Sequence, residues 1–219
     1  MKYKWTPILL AVVLLVGACS NPFAPATRTP EDEVKEPAKE ATEPEIVMDN
    51  LERAFEDRDK ELYESLLDER FWFTEPDCAG NISFFNDREA ELEIMGSRDN
   101  SDGLLDQFRT IEYTFSILQN GRTRELGLNH PIAFENDPDG HPDEDWDVFR
   151  GRVEMLLLDE NGDGFRVDQI MTYKLRLDEE ALWKITRWID DPLSGDCGGA
   201  GKRPVGVHSW TALKQQTAP

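Results

Sequence analysis

Chemically versatile side chains are scarce in this chain: histidine and cysteine occur three times each in 219 residues. No His-x-x-x-His, Cys-x-x-Cys, Gly-x-Ser-x-Gly or phosphate-cradling glycine loop is present, so zinc and nucleophilic catalysis have no support. His130 precedes Pro131 in a loop and His208 lies near the C-terminus, and neither belongs to a ligand pattern. Positive charge is also in deficit, with 24 Lys and Arg against 45 Asp and Glu and a formal charge of −21. Such a surface repels phosphate backbones and anionic headgroups, which argues against nucleic acid as a partner. Long apolar runs are missing too. The one continuous run, Pro7–Val16, is too short to cross a bilayer comfortably.

That run explains the N-terminus. Lys2 and Lys4 form a basic n-region, Pro7–Val16 an apolar h-region, and small residues follow. Val16-Gly17-Ala18-Cys19 resembles the lipobox of bacterial lipoproteins. The resemblance implies that residues 1–19 are a signal peptide, that Cys19 carries the lipid, and that the product is exported and anchored to the envelope. Ser20 after the cysteine resembles the outer-membrane default, facing the periplasm or cell surface. An ordinary secretory signal, with Cys19 spare, is the alternative. Loss of Lys2 and Lys4 would leave 22 basic and 45 acidic residues, a charge of −23.

With Cys19 lipidated, Cys78 and Cys197 remain in an oxidising compartment, where a pair tends to become a disulfide. Their separation of 119 residues allows about 5 kcal/mol by loop entropy, an upper figure. Two buried free thiols are the other possibility. Residues 20–44 hold five prolines, many charges and little to bury, and read as a tether.

From Ile46 the pattern becomes that of a folded domain. Val47, Leu51, Ala54 and Phe55 recur at i, i+4, i+7 and i+8, one stripe of a helix, with Pro44 suited to its first turn. Asp59 can cap a second helix in which Tyr63 and Leu67 pair at i, i+4. Phe71–Phe73 reads as a strand, and Asp87–Met95 as a short surface helix. Alternation at period 2 then marks strands over Arg109–Leu118, Trp146–Leu158, Phe165–Leu177 and Leu182–Asp190. Turns at Asp159–Gly164 and Asp178–Glu180 join the last three as hairpins. From Gly198 the sequence predicts a loose C-terminal tail (198–219), except that Ser209 can cap a last turn through Trp210 and Leu213. The order of elements is α+β, with a curved antiparallel sheet wrapped around N-terminal helices.

Asn50–Phe55, Arg58-Asp59, Leu62-Tyr63, Leu66–Asp68 and the strand Leu182–Asp190 resemble the nuclear transport factor 2-like superfamily, the cone fold shared with ketosteroid isomerases and polyketide cyclases. The resemblance implies a cone over residues 45–197. The acidic insert Glu135–Asp147 departs from that compact pattern, and could shield the cone's mouth or hang free.

Enzymes of that kind need a carboxylate base in an apolar pocket with a donor beside it. Tyr113, Gln169 and Tyr173 fall on inward-reading strand faces as pocket-lining candidates, but no Asp or Glu clearly joins them. No family catalytic residue can be carried onto this chain. Asp159-Glu-Asn161-Gly-Asp163-Gly164 copies the first half of a calcium loop, yet its twelfth position is Ile170, where a bidentate acid is required. A hairpin turn explains Asp159, Asn161 and Asp163 better than a metal site. The acids of residues 137–145 lack ligand spacing and read as a solvated loop, and no cofactor is implied. The expected function is non-catalytic: a membrane-anchored cone binding a small apolar ligand or a protein partner, with a homodimer conceivable across the open sheet face. The alternative is a small-molecule isomerase- or cyclase-type enzyme.

Overall fold

The computed structural model describes residues 37–77, 79–97, 103–135, 137–191 and 207–217. Cys19, Cys78 and Cys197 lie outside these, and with them the lipidation, signal-peptide and disulfide expectations. The chain divides into two units, Met1–Pro37 and Ala38–Pro219, and every element below belongs to the second.

Helix α1 (Pro44–Asp57) opens with proline in its first turn and buries Val47, Met48, Leu51, Ala54 and Phe55, the stripe that the periodicity predicts. It ends at Arg58, whose φ of 55° is the left-handed cap conformation. Asp59 caps α2 (Lys60–Leu66) by accepting the Leu62 N–H at 2.9 Å. Asp59→Ala is expected to cost about 1 kcal/mol of stability, read as a lower urea midpoint.

The sheet runs in the order β2-β1-β6-β5-β4-β3: β1 (Leu67–Pro76), β2 (Ile82–Asp87), β3 (Thr110–Glu125), β4 (Trp146–Leu158), β5 (Gly164–Leu177) and β6 (Trp183–Asp190). A short β7 (Val207–His208) pairs with β5. Helix α3 (Arg88–Met95) follows β2, α4 (Leu104–Gln107) precedes β3, and α5 (Trp210–Thr217) ends the described chain. The architecture is the expected α+β one, a curved, unclosed sheet clasping N-terminal helices. Its hairpins are antiparallel, but β1 lies parallel to β6, and β7 parallel to β5.

One irregularity aims the interior. Between β5 and β6 the register slips, so that Leu175 faces Ile185 while Lys174 faces Arg187 and Thr186 is the extra residue. A bulge of this kind reverses the phase of a strand. Ile185 and Trp188 therefore both reach zero exposure, and Asp190 follows Trp188 inward. Simple alternation would have put Arg187 in step with Ile185. At β4, Gly151 admits Phe115 so closely that a Cβ there would stand 2.4 Å from the ring. Leu177, the last residue of the alternating run, is 42% exposed.

The acidic insert does not hang free. It lies on the outer face of the sheet, where Lys174 and Arg176 alternate with the inward Tyr173 and Leu175. Glu144 pairs with Arg176 at 3.0 Å and Arg70 at 2.8 Å, and Asp139 with Lys174 at 3.2 Å. His141 stacks on Trp146 with ring centroids 3.8 Å apart, which anchors the insert to the start of β4.

Candidate functional site

The concave side of the sheet is where a ligand would enter, and its own chain fills it. Phe55 of α1 stacks on Tyr113 at 4.9 Å and meets Tyr63, Trp188 and Trp210 edge-on. Trp210 lies parallel to Trp188 at 6.1 Å. Trp210, Leu213 and Lys214, on one side of α5, have no exposure at all. The sequence predicts only a capped turn here; the structure has a helix plugging the cone. Ser209 does cap it, accepting the Ala212 N–H at 3.1 Å.

Two charged clusters lie beneath the plug. Lys214 Nζ donates to both oxygens of Glu91 at 2.6 Å, and neither side chain has any exposure. Tyr63 donates its hydroxyl to Glu91 at 2.7 Å, and Asn86 donates from its amide at 3.2 Å. The ammonium also stands 3.6 Å above the Phe73 ring. Burial pulls the Lys214 pKa down against the opposing pull of Glu91. Contacts this short from both oxygens are those of a charge-assisted pair. Burial, then Glu91, pushes the Tyr63 hydroxyl well above the ordinary phenol range, so it donates without ionising.

Asp190 forms the second cluster. One oxygen accepts the Thr211 N–H at 3.1 Å and the Thr211 hydroxyl at 2.7 Å, tying β6 to the start of α5. The other, buried, has no hydrogen-bond partner. Burial raises its pKa to about 7, against the lowering effect of Thr211 and Lys214. A carboxyl near neutrality in an apolar interior is the kind of group from which a general base is made. Here it acts as a fastener for the plug.

The residues singled out from the sequence are brought together in part. Tyr113 and Tyr173 share a hydroxyl–hydroxyl bond of 2.8 Å, and burial foremost holds both well above the usual phenol range. Gln169 donates to the Asp191 carbonyl at 3.1 Å and accepts the backbone N–H of Trp210 at 3.2 Å, so it holds the plug. All three line the concave face, against protein side chains. Asp159, Asn161 and Asp163 lie apart in the β4–β5 turn, where one Asp159 oxygen accepts the N–H groups of Asn161 and Asp163. That is turn chemistry, with the carboxylate turned onto its own backbone. The expectation that no acid joins the inward strand faces is corrected by Asp190 of β6, and helix α3 adds the buried Glu91. Glu91 has Met95 four residues on, and Asp190 shares the parity of Trp188, which are the available signals. Beyond the plug, a cleft of about 850 Å³ opens on the outer face between Arg70, Arg176, Lys184, Glu144 and Glu180.

No protein-family model matches the chain, and no curated protein matches it. Solved structures with similar arrangements exist. A nuclear transport factor 2-like superfamily protein from Salmonella enterica is 10% identical, with a TM-score of 0.44 over 71% of this chain and 92% of that one. A conserved protein from Planctomyces limnophilus is 12% identical, with a TM-score of 0.43 over 67% and 91%. A Δ5-3-ketosteroid isomerase from a Mycobacterium species is 16% identical, with a TM-score of 0.37 over 66% and 88%. These likenesses concern the course of the chain alone.

Proposed function

We propose that this chain is an exported, lipid-anchored interaction module, a domain tethered in the bacterial envelope that binds a protein partner and transforms no substrate. The observation that carries the reading is the plug: the cavity an apolar ligand or substrate would need is taken by Trp210, Leu213 and Lys214. Binding then falls to the outside. Leu126, Leu128, Ile132 and Phe134 are 41%, 77%, 62% and 61% exposed within one loop, a concentration of exposed apolar side chains that favours a protein surface. The anchor rests on the lipobox-like Val16–Cys19 and the tether behind it.

A second reading, the isomerase- or cyclase-type enzyme, is favoured by Asp190, whose pKa of about 7 and unpartnered oxygen would suit a base if α5 withdrew. Native mass spectrometry of the protein from its own host separates the two. The interaction reading expects the polypeptide with no small molecule bound, and a protein partner released by Leu128→Asp and Phe134→Asp. Being exposed, those substitutions are expected to change stability by less than about 0.5 kcal/mol. A stoichiometric small apolar ligand would overturn the reading and favour the enzyme.

A further inference from the structure

We propose that Glu125, His130 and His141 bind a late first-row divalent cation, Zn2+ foremost, on the outer face of the sheet where the acidic insert docks. One donor atom from each lies within 4.8 Å of the others, a grouping among the described residues that joins the end of β3 to the loop before the insert and to the insert itself. The His141 side chain has no exposure, and its Nε2 has no hydrogen-bond partner.

The tautomer follows from its other nitrogen. Nδ1 lies 2.8 Å from the Glu144 carbonyl oxygen, which can only accept, so Nδ1 carries the hydrogen. Nε2 of the neutral ring then presents a lone pair, and what it faces is Glu125 Oε2 at 3.5 Å. Two acceptors are held together in a buried place, where the Lys174 ammonium 3.1 Å from Glu125 Oε2 already supplies one positive charge. A histidine that donates one ring N–H to a backbone carbonyl and turns its other nitrogen outward is the usual posture of a metal ligand.

The spacing is close to what an ion requires. Bonds of about 2.0–2.1 Å in a tetrahedron put neighbouring donors about 3.4 Å apart. Glu125 and His141 already stand at that separation. His130 stacks on His141 with centroids 4.5 Å apart, and its backbone carbonyl accepts the His141 N–H at 2.9 Å. Its donor atom lies within 4.8 Å of the other two, and as a half-buried loop side chain it would close the remaining gap by turning its ring edge out of the stack. Lys174 lies 3.1 Å from Glu125 and 3.2 Å from Asp139, so an arriving ion would shift it onto the acid it already touches. Two imidazoles and one carboxylate suit Zn2+ and its neighbours, whereas Ca2+ and Mg2+ take oxygen ligands. The fourth corner is left for water. The chain's charge of −21 raises the local concentration of any cation.

Calorimetric titration of the full chain with ZnCl2, in millimolar Mg2+ to occupy ordinary carboxylates, tests this at pH 7.5. The expected result is one equivalent bound with a Kd of about 10 μM or tighter. Glu125→Gln and His130→Gln should each weaken it at least about tenfold, and Co2+ should give a visible absorption band that both variants lose. Both positions are partly exposed, so these variants keep the fold where loss of the buried His141 ring would not. No binding at that strength, or binding that either variant leaves within tenfold of the original, overturns the site.

Discussion

Lys214→Met is expected to destabilise the domain by about 3–5 kcal/mol, the largest effect of any single substitution considered. Methionine keeps most of the volume, so the loss reports charge rather than packing. Glu91 would be left fully buried with only the Tyr63 hydroxyl and the Asn86 amide to satisfy it. An ionised carboxylate in that position has no route to water. The companion variant makes the cause explicit: Glu91→Gln with Lys214→Met removes both charges and should recover most of the loss, because neutral partners of similar shape can replace a buried ion pair. Urea denaturation at pH 7.5 reads both. If Lys214→Met costs less than about 1 kcal/mol, the ammonium does not hold α5 in the cone.

The second large effect is a pH dependence. Burial pushes the Asp190 carboxyl up to about 7 from the 3.8 of an ordinary aspartate, so the folded state binds its proton more tightly than the unfolded state does. Stability must then fall as pH rises between those values, since ionising Asp190 opposes folding. The penalty is complete above about pH 7. Asp190→Asn removes it while retaining an acceptor for Thr211. A constant cost from burying the amide does not affect the comparison across pH. From pH 5 to pH 8 the stability difference between the two proteins is expected to move by about 3 kcal/mol in favour of the variant. A difference that stays constant within about 1 kcal/mol would show that Asp190 is ionised in the fold throughout that range.

These groups show where sequence reading stopped. The helix stripe of Val47, Leu51, Ala54 and Phe55 and the alternating strands were legible because their partners are the solvent and the core, which periodicity reports directly. Asp159 and its turn were legible because the relevant contacts lie within four residues. Glu91 and Lys214 stand 123 residues apart, each in a polar surrounding that reads as surface. Nothing local indicates that the two charges cancel. Asp190 was hidden differently: the bulge at Thr186 resets the phase of β6, so its shared parity with Trp188 reads as inward only once the register is known. The acidic insert looked like solvated loop because its anchors, Arg70, Lys174 and Arg176, are distant basic residues on the sheet's outer face. His130 and His141 looked unrelated for the same reason, since the loop that brings them into stacking contact has no periodicity to read.

The plug ties these observations together. Trp210 caps a ring cluster of Phe55 and Trp188, Gln169 and Asp190 hold the first turn of α5, and Lys214 locks it to Glu91. Each contact draws on a different part of the chain, so the C-terminal helix is fastened to α1, α3, β5 and β6 together. On the proposed reading, an interior filled in this way leaves recognition to the surface.

Amide hydrogen exchange across Trp210–Thr217 tests that claim most directly. If α5 is an integral part of the core, its protected amides should exchange only with global unfolding, at the same free energy as those of β5. Exchange of the α5 amides at the rates of an open loop, while β5 stays protected, would mean that the helix leaves the cone readily and that the interior is available to a ligand.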